Sequence, residues 1–328
     1  MSFDNDSVIV IGENFNASRK VKATSPRVVE EDGGWGIRYT DLDGSQHILD
    51  VTECMPEDPK KRKIFMIPHI GQACRNKDIR YITYAIRAQE QAGAHIIDLC
   101  VDEITVDPDE RHEYMRWLIG IAQGITNTMV AIDSSDPETI RAGLEAHDGS
   151  KSRPVVNSIN LEPGRQELVD MAKERNAILF ANASGEAGMP QDAEQRVTNL
   201  EGCMALMEAG GIPMEDRFLD ALVFPVGAGP DFGGHYLEAV RELRARYPEV
   251  HIFGGHSNAS FGMPRRKLLN QTFIFLSLMA GCDAFMIDPV MNNPKDINEF
   301  KLAADSLLGK DEFSVNYVTY CRSQAKKG

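Results

Sequence analysis

The sequence lacks the cysteine and histidine spacings that build disulfide frameworks and zinc sites. Its six cysteines, Cys54, Cys74, Cys100, Cys203, Cys282 and Cys321, form no Cys-x-x-Cys pair, and neither His-x-Cys nor His-Glu-x-x-His occurs. Spacings of this kind mark bound metal or oxidised frameworks, so we read reduced thiols in a cytoplasmic protein without a structural metal. Basic excess is also missing. Lys and Arg number 35 against 49 Asp and Glu, for a net charge of −14. A phosphate backbone needs a basic face, so free nucleic acid is excluded as a partner. No apolar run approaches the roughly 20 residues that cross a bilayer. Met1–Asp6 are polar and acidic, without the basic start and apolar run of a signal peptide. Tryptophan is scarce, with only Trp35 and Trp117.

What the chain does have is alternation. Short runs rich in Val, Ile, Leu and Phe predict strands at 7–12, 94–100, 128–133, 154–159, 177–182, 217–226, 250–254 and 283–288. Segments of helical period lie between them. Asp78 is placed to cap a helix carrying Ile79, Ile82 and Ile86 on one face. Asp107-Pro108 and Asp136-Pro137 each open a further helix with proline in its first turn. Others are predicted over 165–175, 191–209, 234–247, 265–280 and 296–308. Gly93, Gly210 and Gly281 follow helices where a left-handed residue ends them. Strict alternation indicates an α/β protein with a parallel sheet. Eight units in 328 residues favour a closed (β/α)8 TIM barrel as one domain over 1–328. The rival, an open doubly wound sheet, would carry a glycine fingerprint after its first strand. Here that position reads Gly12-Glu13-Asn14-Phe15-Asn16.

One segment breaks the rhythm. Residues 17–70 separate the first strand from the first helix. Within them 36–40 and 47–51 flank Asp43-Gly44, a strong hairpin signal. We read an inserted loop and β-hairpin on the barrel rim, either at the catalytic face or as a surface ornament.

Polar residues gather where the predicted strands end: Glu13, Asp98, Asp133, Asn157, Asp220, Asn258 and Asp288. In a barrel these ends converge on one pocket. One such residue is explained by capping a helix; seven together point to a shared polar ligand. Acids and amides with few cations among them suit a neutral ligand rich in N–H donors, such as the amidine-like edge of a pterin. Two alternatives use the same residue types. Magnesium or calcium would take clustered carboxylates, but no local Asp-rich calcium loop exists. Glycoside hydrolysis would use two carboxylates, and two tryptophans away from the main strand ends are a poor sugar platform.

The motifs at these ends resemble the pterin-binding methyltransferases, which include methyltetrahydrofolate:corrinoid methyltransferases and the folate domain of cobalamin-dependent methionine synthase. The similar segments are Ile11-Gly12-Glu13-Asn14-Phe15-Asn16, Ile96-Ile97-Asp98-Leu99-Cys100-Val101-Asp102-Glu103, Ile132-Asp133-Ser134 and Val156-Asn157-Ser158-Ile159-Asn160. The strongest runs from Ser257-Asn258-Ala259-Ser260-Phe261-Gly262 through Arg266 to Leu269-Asn270. The resemblance implies a methyl transfer between (methyl)tetrahydrofolate and a corrinoid. It implies that Asp133, Asn157 and Asp220 hold the pterin edge, with Asp98 in the same pocket and Glu13 and Asn16 as its floor or wall. Asn258 would bond the nitrogen that bears the methyl group. Arg266 matches an arginine of the family, and Asp288 closes the set at the last strand end. Cys100 stands where the family often has asparagine. No Asp-x-His-x-x-Gly cobalamin motif is present, so the corrinoid is expected on a separate protein. Related barrels pair as homodimers, and the same is expected here.

Three rivals remain at this stage. Dihydropteroate synthase uses a similar barrel, but needs a phosphate site with a Lys and a Ser-Arg. Here Gly255-His256-Ser257-Asn258 stands in place of the Ser-Arg, and no Lys lies between 221 and 233. A zinc-dependent corrinoid methyltransferase needs the missing His-x-Cys. A barrel that binds folate without catalysis would share the pocket residues.

Overall fold

The computed structural model describes residues 7–325; the N-terminal stretch Met1–Asp6 lies outside the described residues. Eight parallel strands form the barrel: β1 Ile9–Asn16, β2 Ile96–Cys100, β3 Met129–Asp133, β4 Val155–Ile159, β5 Ile178–Asn182, β6 Arg217–Asp220, β7 His251–Phe253 and β8 Ala284–Ile287. Each pairs with its sequence neighbour, and β8 returns to β1. The seam between β7 and β8 is closed by a parallel bridge from Gly255 to Met286 and by a 3.2 Å bond from Met286 N to Gly254 O. An open sheet would leave that edge unpaired.

The helices after the strands are α2 Pro108–Ile125, α3 Pro137–Ala146, α4 Leu168–Glu174, α5 Ala193–Ala209, α6 Phe232–Arg246, α7 Arg266–Ala280 and α8 Pro294–Leu307; α1 Ile79–Gln91 precedes β2, and α9 Val315–Ala325 ends the described chain. Asp78, Asp107 and Asp136 cap α1, α2 and α3, each accepting a backbone N–H from the first turn. That satisfies donors the helix itself leaves free. α4 begins later than its apolar period predicts. Arg165 is used elsewhere, donating to the carbonyls of Ser134, Ser135 and Ser158. β6 is shorter than predicted because Leu222 turns the chain at φ 60°.

Alternation along the strands decides what enters the barrel. Ile9 and Ile11, Ile96, Ala131, Val155, Ile178 and Phe180, Phe218, Phe253 and Ala284 point inward and pack as one apolar cluster. Phe180 lies 5.1 Å from Phe218 and 4.8 Å from Phe253, ring centre to ring centre. A second core fills the space between strands and helices. Side chains two apart share a face of a strand. Glu13 follows Ile11 at that interval, Asp98 follows Ile96, Asp133 follows Ala131, and Asn157 follows Val155. Asn182 follows Phe180 and Asp220 follows Phe218 in the same way. The layer above the apolar plug is therefore polar, at the C-terminal end of the barrel.

The inserted segment forms a three-stranded antiparallel sheet, Val28–Glu31, Gly34–Thr40 and Gln46–Asp50, rather than a hairpin alone. Ile37, Tyr39, Leu49 and Val51 are buried. Tyr39 meets Tyr81 edge-on at 4.8 Å, which fixes the sheet against α1. A smaller ribbon, Val21–Lys22 with Met66–Ile67, ties both ends of the insertion to the barrel mouth.

Candidate functional site

A cavity of about 670 Å³ opens at the C-terminal end of the barrel, within the ordinary size of a small-molecule site. Glu13, Asn16, Asp98, Asp133, Asn258, Arg266 and Asp288 line it. Asn157 lies beneath, donating from Nδ2 to Asp98 Oδ1 at 2.9 Å. Asp220 stands further round the same polar layer, in register with Asn182 on β5. A hollow of about 780 Å³ lies at the opposite end, beside Arg244, His251 and Asp283. Its charged groups are bonded to each other: Asp283 accepts from Arg244 at 2.8 Å and pairs with His251 at 2.7 Å. Chemistry in (β/α)8 enzymes belongs to the C-terminal end, where the groups that converge are not all spoken for.

The carboxylates of the polar layer sit on an apolar floor, and desolvation disfavours their charged forms. Burial pushes Asp98 well above the usual carboxylate range, and the neighbouring Asp133 charge pushes it further. A charge on Asp133 thus disfavours a second one on Asp98. Burial brings Asp133 up to about 6, with the Cys100 thiol donating to it as a counterweight. Cys100 thus takes a hydrogen-bonding part at its position on β2, and its own thiol is held far from ionising. Asp220 is raised to about 7 by burial, against the pull of the Leu222 N–H and Arg196. Its Oδ1 accepts that N–H at 2.8 Å. Burial also raises Glu13, opposed by the Ser257 hydroxyl and Arg19.

The upper wall is built on the short turn His256–Ser260 after β7. Asn258 is exposed to the cavity, and its side-chain amide makes no hydrogen bond among the described residues. Gly255 makes room for that amide: a Cβ there would stand 2.9 Å from Asn258 Nδ2. Arg266 holds the turn in place, donating to Ser260 Oγ and to Ser257 O at 3.0 Å each. Asn16 Oδ1 is taken by the Ser18 N–H at 2.9 Å. Asp288 is more fully engaged. Its Oδ1 accepts from Asn14 Nδ2 and from the backbone of Val290 and Met291, and its Oδ2 pairs with Arg19 at 2.8 Å.

Some residues of the polar layer and the cavity wall were given no role by the sequence reading, although Asn270 stood within its strongest motif. Asn182 was legible by the same strand-end rule that selected its neighbours. Arg19 was not, because it lies in the insertion and reaches back to Asp288. Asn270 and Asn292 also line the cavity, 6% and 3% exposed, and the buried Oδ1 of each lacks a partner. A buried acceptor without a donor is costly, so both suit a ligand that donates. Among the described residues, no group of three His, Cys, Asp or Glu side chains is arranged to hold a metal, and no helix is long and apolar enough to cross a membrane.

Comparison with known proteins bears on this cavity. The family described as "Pterin binding enzyme" matches residues 71–288, which is more than half of the chain. A methylcorrinoid:tetrahydrofolate methyltransferase from Eubacterium limosum is 29% identical over 254 residues, covering 76% of this chain and 90% of that one. Methionine synthase from Mycobacterium leprae is 28% identical over 212 residues, 61% of this chain but only 17% of that longer protein. A solved structure of Yersinia pestis DHPS with a pterine-sulfa conjugate aligns at a TM-score of 0.55 and 15% identity, covering 69% of this chain and 89% of that one. At that identity the likeness concerns the fold.

Proposed function

Since the chain belongs to the pterin-binding enzymes, we propose that it is a methyltransferase moving a methyl group between (methyl)tetrahydrofolate and the cobalt of a corrinoid carried by a separate protein. The observation that carries this reading is a two-tier site. A ring of desolvated carboxylates lies at the bottom, and one unengaged amide, Asn258, lies above it. The relative named for this reaction matches over most of both chains.

The lower tier binds. Asp133 and Asp220 accept from the amino and ring N–H groups of the pterin edge, with Asn157 beside them. Asp98, whose charged form burial and the Asp133 charge disfavour, keeps the pair from carrying two negative charges. Glu13 and Asn16 form the wall, Arg266 fixes the turn that bears Asn258, and Asp288 holds Arg19. The upper tier works on the reacting nitrogen. A tertiary amine releases a methyl group poorly unless protonated. A neutral amide that both donates and accepts can stabilise that nitrogen as its charge changes. The rest of the contribution is positioning, with the corrinoid supplying the nucleophile or the methyl group. The open mouth gives the partner protein access.

Six unpaired thiols fit a reducing compartment, the cytoplasm. Exposed apolar side chains on the last helices, such as Met279 and Leu307, fit a homodimer.

The test replaces the partner with free corrinoid. Protein, methylcobalamin and tetrahydrofolate are mixed, and the methylcobalamin absorbance is followed. Loss of the band that depends on the protein, slowed by more than about tenfold in Asn258→Ala, is the expected result. A wild-type rate in the variant removes Asn258 from the mechanism. Folate binding without turnover, even when corrinoid protein is added, overturns the transfer reading in favour of a binding barrel.

A further inference from the structure

The protein is acidic, yet one edge of its inserted segment is not. Lys60-Lys61-Arg62-Lys63 stand together in the chain, just before the small ribbon in which Lys22 pairs with Met66. Lys22, Lys60, Lys61 and Lys63 are exposed and make no ion pair among the described residues. Arg62 is used locally, stacked over Trp35 at 4.8 Å and bonded to the carbonyls of Pro56 and Glu57.

The position of these cations relative to the cavity follows from the ribbon register. Lys22 is paired directly with Met66. Residues opposite each other in an antiparallel pair point to the same face. Met66 lines the cavity, as do Arg19 and Lys20. Lys63 is three residues from Met66, a reach of at most about 10 Å along the chain. At the cavity wall the cations are paired, Arg19 with Asp288 at 2.8 Å and Lys20 with Glu103 at 3.3 Å, so unpaired positive charge begins at the rim with Lys22. From Lys22 it continues outward to the exposed lysines of the 60–63 cluster. Unpaired like charges in a row repel one another, and a polyanion that lies along them relieves that repulsion.

Resting on the pterin reading, we infer that this basic track holds the glutamate tail of the folate and gives the enzyme a preference for polyglutamylated forms. With the pterin ring held on the strand-end carboxylates, the benzoyl-glutamate arm must leave through the mouth. Each added γ-linked glutamate extends the arm outward by one carboxylate. The charges that would meet it lie in the insertion, outside the region that matches the pterin-binding family.

The experiment compares binding of methyltetrahydrofolate carrying one glutamate with the same compound carrying five. The wild-type protein should bind the pentaglutamate about tenfold more tightly or better at low salt, and the gain should shrink as salt rises. In the triple variant Lys60→Glu, Lys61→Glu, Lys63→Glu, the gain should vanish while monoglutamate affinity stays as in wild type. These lysines are exposed and bury no side chain, so the variant is expected to fold. Equal affinity for both forms in the wild type overturns the inference, as does a gain that survives in the variant. If the variant instead raises only the KM for the corrinoid protein, the track serves the partner and the inference fails. Absence of binding by either form would overturn the pterin reading itself, a failure distinct from equal binding of the two.

Discussion

At the residue scale, the site rests on carboxylates placed where charge is expensive. Asp220 shows the consequence. Its pKa is raised to about 7 by burial, so the folded state favours the neutral acid. The stability it contributes is fully present below about pH 4, near the unfolded value, and is lost as pH rises through about 7. Asp220→Asn should flatten that decline in denaturation curves taken across this range; an unchanged pH dependence would contradict the assigned burial. A bound pterin should reverse the preference. On the proposed function, pterin N–H groups would stabilise the ionised forms of Asp133 and Asp220, so binding near pH ~6.5 should release protons, and near pH ~8.5 it should release almost none. Calorimetry in buffers of different ionisation enthalpy reads this directly. Proton uptake would mean that the acids donate to the ligand instead.

At the element scale, the turn His256–Ser260 is the part that must hold still. It lies between β7 and α7, and Arg266 in the first turn of α7 ties it down. Arg266→Ala should raise the folate KM and lower kcat several-fold, on the order of the cost of a misplaced catalytic group. The melting temperature should move little, because the arginine is exposed. Arg266→Lys should recover part of the loss. Wild-type kinetics in the alanine variant would show that the turn is rigid without it.

The same scale separates what was readable in the sequence from what was not. Helices opened by Asp78, Asp107-Pro108 and Asp136-Pro137 were legible because the cap and the first turn are local chemistry. The barrel strands were legible by their apolar runs. Their polar last residues were legible too, because alternation carries the inward face one step past the plug. Asn182 obeyed that rule and was passed over. The strand Val28–Glu31 also had a signal: Asp32 and Gly33 take φ 53° and 79°, the two-residue turn that Asp-Gly favours. α9 had none, since it buries no side chain and so shows no apolar stripe. Asn270 stood in the strongest motif without a role, and Arg19 and Asn292 were beyond sequence reasoning in a different way. Their places depend on tertiary approach, across 269 residues in the pairing of Arg19 with Asp288.

At the scale of the whole molecule, the barrel separates stability from chemistry. The phenylalanine plug and the strand–helix core hold the frame, and the layer above them is free to be polar and strained in charge. The inserted segment adds exposed lysines to an acidic protein, and its sheet joins the strand–helix core through Ile37, Tyr39, Leu49 and Val51 while staying out of the phenylalanine plug. Sedimentation equilibrium should return a dimer, and a monomer at all concentrations would remove that part of the proposal. The measurement that bears most directly on the central claim is a crystal structure with methyltetrahydrofolate bound. It should show the pterin edge against Asp133, Asn157 and Asp220 and the methyl-bearing nitrogen within hydrogen-bond reach of Asn258. A ring seated outside the strand-end carboxylates, or bound with its methyl-bearing nitrogen away from Asn258, would contradict the account.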